Sequence, residues 1–328
     1  MRGNNVLGII FSNMKDGAIR ELTEIRTMGS VPFGGRYRLI DFPLSNMTNS
    51  GIEQVGVVTK RNYRSLMDHI GSGKAWELSR KRSGLILLPP YGNGNAVYEN
   101  RLGALAGIKE FLNTCKEEYV FLTDCDAVCS LDIQAIVKQH IQSAADITMV
   151  YTVAQGDEDS EEQIILTVDE QQRVSDLLLK QRAEAGMKIG TGMYVMRRSF
   201  LLQVIGEAIA RNHKNFQADI LQANLQRFRI FGYEHKGFVG MISSMNAYYR
   251  INMKLLDASV RNQLFQRDRP VYTKVRDEMP VRYGLGSKVQ NSLIADGCVI
   301  EGEVENCILF RGVHIGKGAK ISNSIIMQ

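Results

Sequence analysis

Short, largely apolar runs recur along the first half of the chain, each set off by polar or turn-forming residues: Val6–Phe11, Gln54–Thr59, Tyr119–Thr123 and Ile147–Val153. Such runs, too continuous for a half-exposed strand, predict strands buried on both faces, as in a mostly parallel sheet. Between them, Asn100–Phe111 and Ile133–Ala144 space apolar residues three and four apart, which predicts covering helices. The alternation reads as right-handed βαβ units and a Rossmann-like α/β sheet. The stretch from Gln155 to Glu162 is acidic and free of apolar residues. It lacks the ligand spacing of a calcium loop and is expected to be a solvated loop.

The texture changes after Asp257. From Tyr283 on, the chain is rich in Gly, Val and Ile in short runs, Leu293–Gly302 and Val313–Ile321. Ile294 and Ile300, like Ile315 and Ile321, stand six apart, the spacing that turns one branched side chain per short strand into a triangular prism. This predicts a left-handed parallel β-helix of hexapeptide repeats, with glycine at its tight corners. The expected organisation is therefore residues 1–257 as one domain, 258–282 as a linker and 283–328 as the β-helix. The run Ile325-Ile326-Met327-Gln328 offers no polar cap, so the expectation is a prism packed on another subunit or cut short.

With 328 residues, 44% of them hydrophobic, the chain can bury two cores. The net charge of +5 is spread out, and the densest basic stretch is only Arg80-Lys81-Arg82, which argues against nucleic acid as a partner. Five cysteines form no CxxC pair and follow no secretory leader, so neither a zinc site nor a disulfide framework is expected, and the reducing cytoplasm is the expected compartment. Cys125 and Cys129 flank Asp126 and could belong to a metal cluster, but small thiols in a core strand fit better. No apolar run approaches the ~18 residues needed to cross a bilayer, so no membrane role is expected.

The long stretch Val31-Pro32-Phe33-Gly34-Gly35-Arg36-Tyr37-Arg38-Leu39-Ile40-Asp41-Phe42-Pro43-Leu44-Ser45-Asn46 resembles the signature of the ADP-glucose pyrophosphorylases, or glucose-1-phosphate adenylyltransferases. Further matches follow in order: Leu88-Pro89-Pro90-Tyr91, Ala96-Val97-Tyr98-Glu99-Asn100, Asp126 to Asp132, Tyr248-Tyr249 with Asn252 to Leu256, and Asn291 to Gly302. The resemblance implies a nucleotidyltransferase domain joined to a left-handed β-helix, in a tetramer that makes ADP-glucose and pyrophosphate from ATP and glucose 1-phosphate. That chemistry is an in-line attack on the α-phosphorus of ATP, and it depends on positioning and on neutralising charge. The family would supply a Gly-rich phosphate cradle, basic residues, and two carboxylates holding magnesium.

Measured against that inventory, the chain falls short at several places. Where the family has Gly-Gly-x-Gly-x-Arg-Leu, this sequence has Asn13, Met14, Lys15, Asp16, Gly17, Ala18 and Ile19, so side chains crowd the cradle and Asp16 adds like charge. Met28-Gly29 replaces a Lys-Pro, and the loop from Tyr91 to Ala96 is shortened, displacing an aromatic contact. One metal carboxylate is retained as Asp126, while Met241, a poor partner for magnesium, stands at the other. Of the sugar-phosphate contacts Lys180 remains, within Leu179-Lys180-Gln181, whereas Gly190 stands for a serine and Ile164 for a glycine. Asp219 matches a family position and also suits a structural role near a helix start.

The resemblance therefore points to the D-type, regulatory subunit of the family, with no catalytic set intact. Residual ligand contacts are expected at Gly34, Gly35, Lys180 and Asp219, and a weak metal ligand at Asp126. The expected partner is the catalytic subunit in a hetero-tetramer, with magnesium belonging to the assembled enzyme, and with ATP, glucose 1-phosphate or a phosphorylated effector as candidate ligands. Three alternatives stay open: a self-sufficient enzyme in which Asp124 rescues the metal site, a non-catalytic sugar-phosphate or nucleotide sensor, and an acyltransferase built on the hexapeptide prism around His314.

Overall fold

The computed structural model describes residues 5–80, 83–90, 98–156 and 163–327. Lys81-Arg82, the shortened loop from Tyr91 to Val97, the acidic stretch from Asp157 to Glu162 and the terminal Gln328 lie outside the described residues.

A nine-stranded mixed sheet organises the N-terminal part. Its parallel half consists of β1 (Val6–Phe11), β2 (Gln54–Val58), β3 (Gly84–Leu88) and β4 (Tyr119–Asp124), ordered β4-β1-β2-β3. Every residue of β1 and β4 is buried, as their continuous apolar runs require. The other half departs from a pure βαβ reading. Here β5 (Ile147–Val153), β6 (Gln163–Val168), β7 (Val174–Gln181) and β8 (Lys188–Arg197) run antiparallel to their neighbours, and β9 (Ile230–Glu234) joins β5 in parallel. The β6–β7 hairpin closes where the Asp169 carboxylate accepts the backbone N–H of Gln171 and of Arg173, an Asx turn.

Alternate side chains of β1 enter two cores. Val6 and Ile10 pack with the helices Asp41–Asn49, Ile133–Gln142 and Met245–Lys254, whereas Leu7, Ile9 and Phe11 pack under Arg101–Gly107 and Arg198–Ala210. The helix foreseen over Asn100–Phe111 is broken at Ile108 into Arg101–Gly107 and Lys109–Thr114, because Gly107 is a weak helix former just before the bend. Asp132 caps Ile133–Gln142 by accepting the N–H of Gln134 and Ala135.

The C-terminal part is a left-handed β-helix: three sheets of three short parallel strands, one sheet per face of the prism. Ile294, Ile300, Ile315 and Ile321 fill its interior. Asn291, Asn306 and Asn323 repeat at the same corner with φ of 39°, 51° and 47°, a left-handed backbone that asparagine tolerates. On one face the register Leu293↔Ile308↔Ile325 alternates with Ile294↔Leu309↔Ile326. The second row points into the prism, and the first docks on the core of the N-terminal domain together with Phe310. Gly34 and Gly35 form the turn of a small antiparallel pair, Pro32–Phe33 with Tyr37–Arg38, at that junction. Both have positive φ, and a Cβ on Gly35 would lie 3.5 Å from the Leu309 carbonyl oxygen. The turn is thus glycine because both positions hold a left-handed backbone, and a Cβ at Gly34 would also press on Leu255 at 2.9 Å.

Candidate functional site

A cleft of about 610 Å³ opens beyond the carboxyl ends of β1 and β4, where open α/β sheets bind ligands. The sheet itself makes room for it. Along one edge β8 pairs first with β6 and then with β4, and between these pairings Thr191, Gly192 and Met193 form an irregular step. Gly192, at φ +75°, sends its carbonyl toward the cleft floor.

After Asp124 the chain turns and runs as the short strand Ala127–Cys129, antiparallel to Val239–Met241 with Met241 opposite Ala127. The N–H of Ile242 donates to the Asp126 carbonyl at 2.7 Å. Asp126 and Met241 are thereby brought to one cleft wall. Asp126 is 6% exposed and its Oδ1 has no partner. Burial first, then the Asp124 charge, raises its pKa to about 6, against the pull of Lys15 and Arg101. Asp124 is engaged elsewhere: its Oδ2 accepts from Arg101 Nη2 at 2.6 Å. Burial opposes the Arg101 charge, but Asp124 more than restores it, so the guanidinium pKa lies above its ordinary value.

These residues do not fit magnesium. The cation would find one free carboxylate, a thioether where a second is needed, the Lys15 ammonium nearby and Asp124 already neutralised. Among the described residues no group of three or more His, Cys, Asp or Glu is placed to hold a metal.

The loop after β1 brings Met14 and Lys15 to the cleft. Asp16, expected to put like charge beside a phosphate, instead accepts the Met28 N–H at 2.8 Å, and burial lifts its pKa to about 6 despite that bond. Lys180 is exposed at a bulge of β7, beside Leu179, whose partner Ile164 lines the cleft. Asp219 turns back on its own helix start: its Oδ2 accepts the N–H of Lys214 and of Asn215, and the Asn215 bond leads in holding its pKa low. Gly34 and Gly35 lie at the domain junction, away from the strand ends. Sequence reasoning missed Arg101 and Gln163, whose buried Oε1 is unpartnered on the cleft wall. A lone arginine opening an apolar helix was the available signal for Arg101.

A second cleft, about 480 Å³, lies at the junction. Arg26, Arg36 and Arg38 face it from the N-terminal domain, Arg276 from the segment before the prism and Arg311 from the prism, with His69 behind. Burial and then Arg276 depress the Arg38 pKa, and burial, Arg276 and Arg36 depress that of Arg311. Guanidinium groups crowded until they repel one another mark a site that an anion would relieve.

The chain matches the nucleotidyl transferase family model over residues 18–258 and the GlmU-like, C-terminal hexapeptide model over 280–328. It is 38% identical to the glycogen biosynthesis protein GlgD of Geobacillus stearothermophilus over 97% of this chain and 83% of that one. It is 35% identical to GlgD of Bacillus subtilis (strain 168), over 98% of this chain and 84% of its counterpart. The glucose-1-phosphate adenylyltransferase of G. stearothermophilus is 32% identical, over 96% of this chain and 82% of the enzyme.

Proposed function

Since the chain belongs to the nucleotidyl transferase family, alongside GlgD and glucose-1-phosphate adenylyltransferase, we propose that it is a regulatory subunit that makes little or no ADP-glucose itself. In this reading it acts in cytoplasmic glycogen biosynthesis by assembling with the catalytic subunit that converts ATP and glucose 1-phosphate to ADP-glucose and pyrophosphate. Magnesium serves the partner's site. The observation that carries the reading is that Met241, opposite Ala127 on the neighbouring strand, shares one cleft wall with Asp126 while Asp124 is consumed by Arg101: charge developing on a transferring phosphoryl group would find no pair of free carboxylates to hold a compensating metal.

Stimulation of a catalytic partner requires that this chain bind its active conformation more tightly than its idle one. The arginine cleft supports such a role, because a phosphorylated effector held there touches the domain, the linker and the prism at once. The test is ADP-glucose synthesis by this chain alone, by the catalytic subunit alone and by the two together, with magnesium and saturating substrates. The expected result is a silent lone chain and a mixture faster than the catalytic subunit. Robust synthesis by the lone chain, or a mixture no faster than the catalytic subunit, defeats the proposal.

A further inference from the structure

Arg101 occupies a site built around one guanidinium. The side chain is 6% exposed, and its carbon centre lies 5.2 Å from the Phe11 ring centroid, 5.1 Å from that of Tyr194 and 5.5 Å from that of Phe216. Its nitrogens donate to Asp124 at 2.6 Å and to the Gly192 carbonyl at 3.3 and 3.4 Å. A charge so deeply buried is tolerated only when matched. What it matches stands at the end of β4, where Asp124 and Asp126 both line the cleft and each keeps a buried oxygen, Oδ1, without a partner. The two carboxylates are close enough that Asp124 lifts the Asp126 pKa.

We propose that Arg101 is a resident counter-cation that takes the electrostatic place of a divalent ion at the Asp124–Asp126 strand end and thereby makes this cleft indifferent to metal. The proposal deepens the reading of the cleft as a non-catalytic nucleotidyltransferase site and rests on it. Two adjacent carboxylates with no guanidinium between them and the aromatic floor would form a doubly negative, partly buried site. Such a site either takes up protons or binds a cation. With Arg101 present a metal ion meets one neutralised carboxylate and a neighbouring positive charge, and gains little from binding. Arg101 is thus a positioning and specificity-determining residue, and its substitution should convert a metal-indifferent cleft into a metal-responsive one.

The test is thermal unfolding of the full chain in EDTA and in millimolar Mn2+, for the parent, Arg101→Met, Asp124→Asn and the double variant, with Mn2+ binding followed in parallel by electron paramagnetic resonance. The parent and the double variant should show the same Tm in both conditions. Arg101→Met should have a lowered Tm in EDTA that Mn2+ largely recovers, with Mn2+ bound at least tenfold more tightly than by the parent. Asp124→Asn should lose stability without gaining a metal response. If Arg101→Met does not fold in EDTA, its refolding yield decides: a yield rescued by Mn2+ supports the proposal, and failure in both conditions overturns it. A parent Tm that rises with Mn2+, or a folded Arg101→Met that ignores the metal, also overturns it. None of these readouts involves ADP-glucose synthesis, so failure here is distinguishable from failure of the regulatory reading.

Discussion

Asp126 should cost the protein stability at neutral pH, and the size of that cost can be worked from its surroundings. The carboxyl is buried, one oxygen lacks a partner, and its pKa is raised from 3.8 to about 6. The folded state therefore binds the proton more tightly than the unfolded state, and stability is fully present below pH 3.8 and lost as pH rises through about 6. At 1.36 kcal/mol per pH unit, the difference of about 2.2 units amounts to about 3 kcal/mol at pH 8 and about 1 kcal/mol at pH 4.5. Asp126→Asn removes the charge at nearly constant shape. It should stabilise the protein at pH 8 by about 2 kcal/mol more than at pH 4.5. Urea denaturation of parent and variant at both pH values reads this as a difference, in which other titrating groups cancel. His140 supplies an opposite control. Burial lowers its pKa to about 4, so it costs stability as pH falls below 6.5, and His140→Gln should gain about 2.5 kcal/mol relative to the parent between pH 8 and 4.5. An Asp126→Asn difference that is flat across this range would refute the picture of a carboxylate that Arg101 and Lys15 compensate only in part, and with it the argument that no metal ion serves this wall.

Two further predictions concern the junction. Ile308→Ala and Leu309→Ala, neighbours pointing to opposite sides of one strand, should each cost about 2–5 kcal/mol, but only Ile308→Ala should expose the segment from 265 to 281 to limited proteolysis, because it undocks the prism without emptying it. Equal cleavage in both variants would contradict the docking register. Glucose 1-phosphate, as a probe of phosphate binding, should raise the parent Tm through the arginine cleft, by an amount equivalent to about 2.7 kcal/mol at a hundredfold excess over Kd. Arg276→Met should diminish that rise without lowering the Tm of the free protein, since it relieves crowding among Arg38, Arg276 and Arg311; an undiminished rise would place the anion elsewhere.

What could be read from the sequence followed from periodicity. Val6–Phe11, Gln54–Val58, Tyr119–Asp124 and Ile147–Val153 stand where continuous apolar runs put them, and the six-residue spacing of Ile294 with Ile300 and Ile315 with Ile321 yields the prism. The antiparallel strands β6 to β8 were hidden because Leu177-Leu178-Leu179 carries no alternation and the turn at Asp169 depends on one side-chain geometry. Ile308 and Leu309 are adjacent apolar residues of one kind, and only the register shows that they serve different cores. The site was legible where it depends on the residue type at single positions, as for Asp126 and Met241, which share one cleft wall. It was illegible where partners are distant in sequence: Arg101 with Gly192, or Arg38 with Arg276.

The same geometry shows that the stretch from Val31 to Asn46 is bound up with the frame rather than with the strand-end cleft. Its polar groups are committed to joints. Asp41 accepts from the Arg38 N–H and pairs with His69 at 2.6 Å. Ser45 exchanges hydrogen bonds with Tyr272 in the segment before the prism. Asn46 donates to the Cys129 carbonyl and accepts from the Leu131 N–H, which fixes the strand Ala127–Cys129 against which Met241 pairs. Gly34 donates to Asn252, and Gly35 rests on the prism. None of these contacts involves a residue that lines the strand-end cleft, so the frame can hold its shape whatever that cleft binds. Arg36 and Arg38, from the same stretch, face the second cleft with Arg276 and Arg311. An anion held there would bridge the hairpin, the linker and the prism, the three parts whose joints this stretch makes. Under the regulatory function proposed above, this frame is the route by which a phosphorylated ligand in the arginine cleft would act on the docking of the prism.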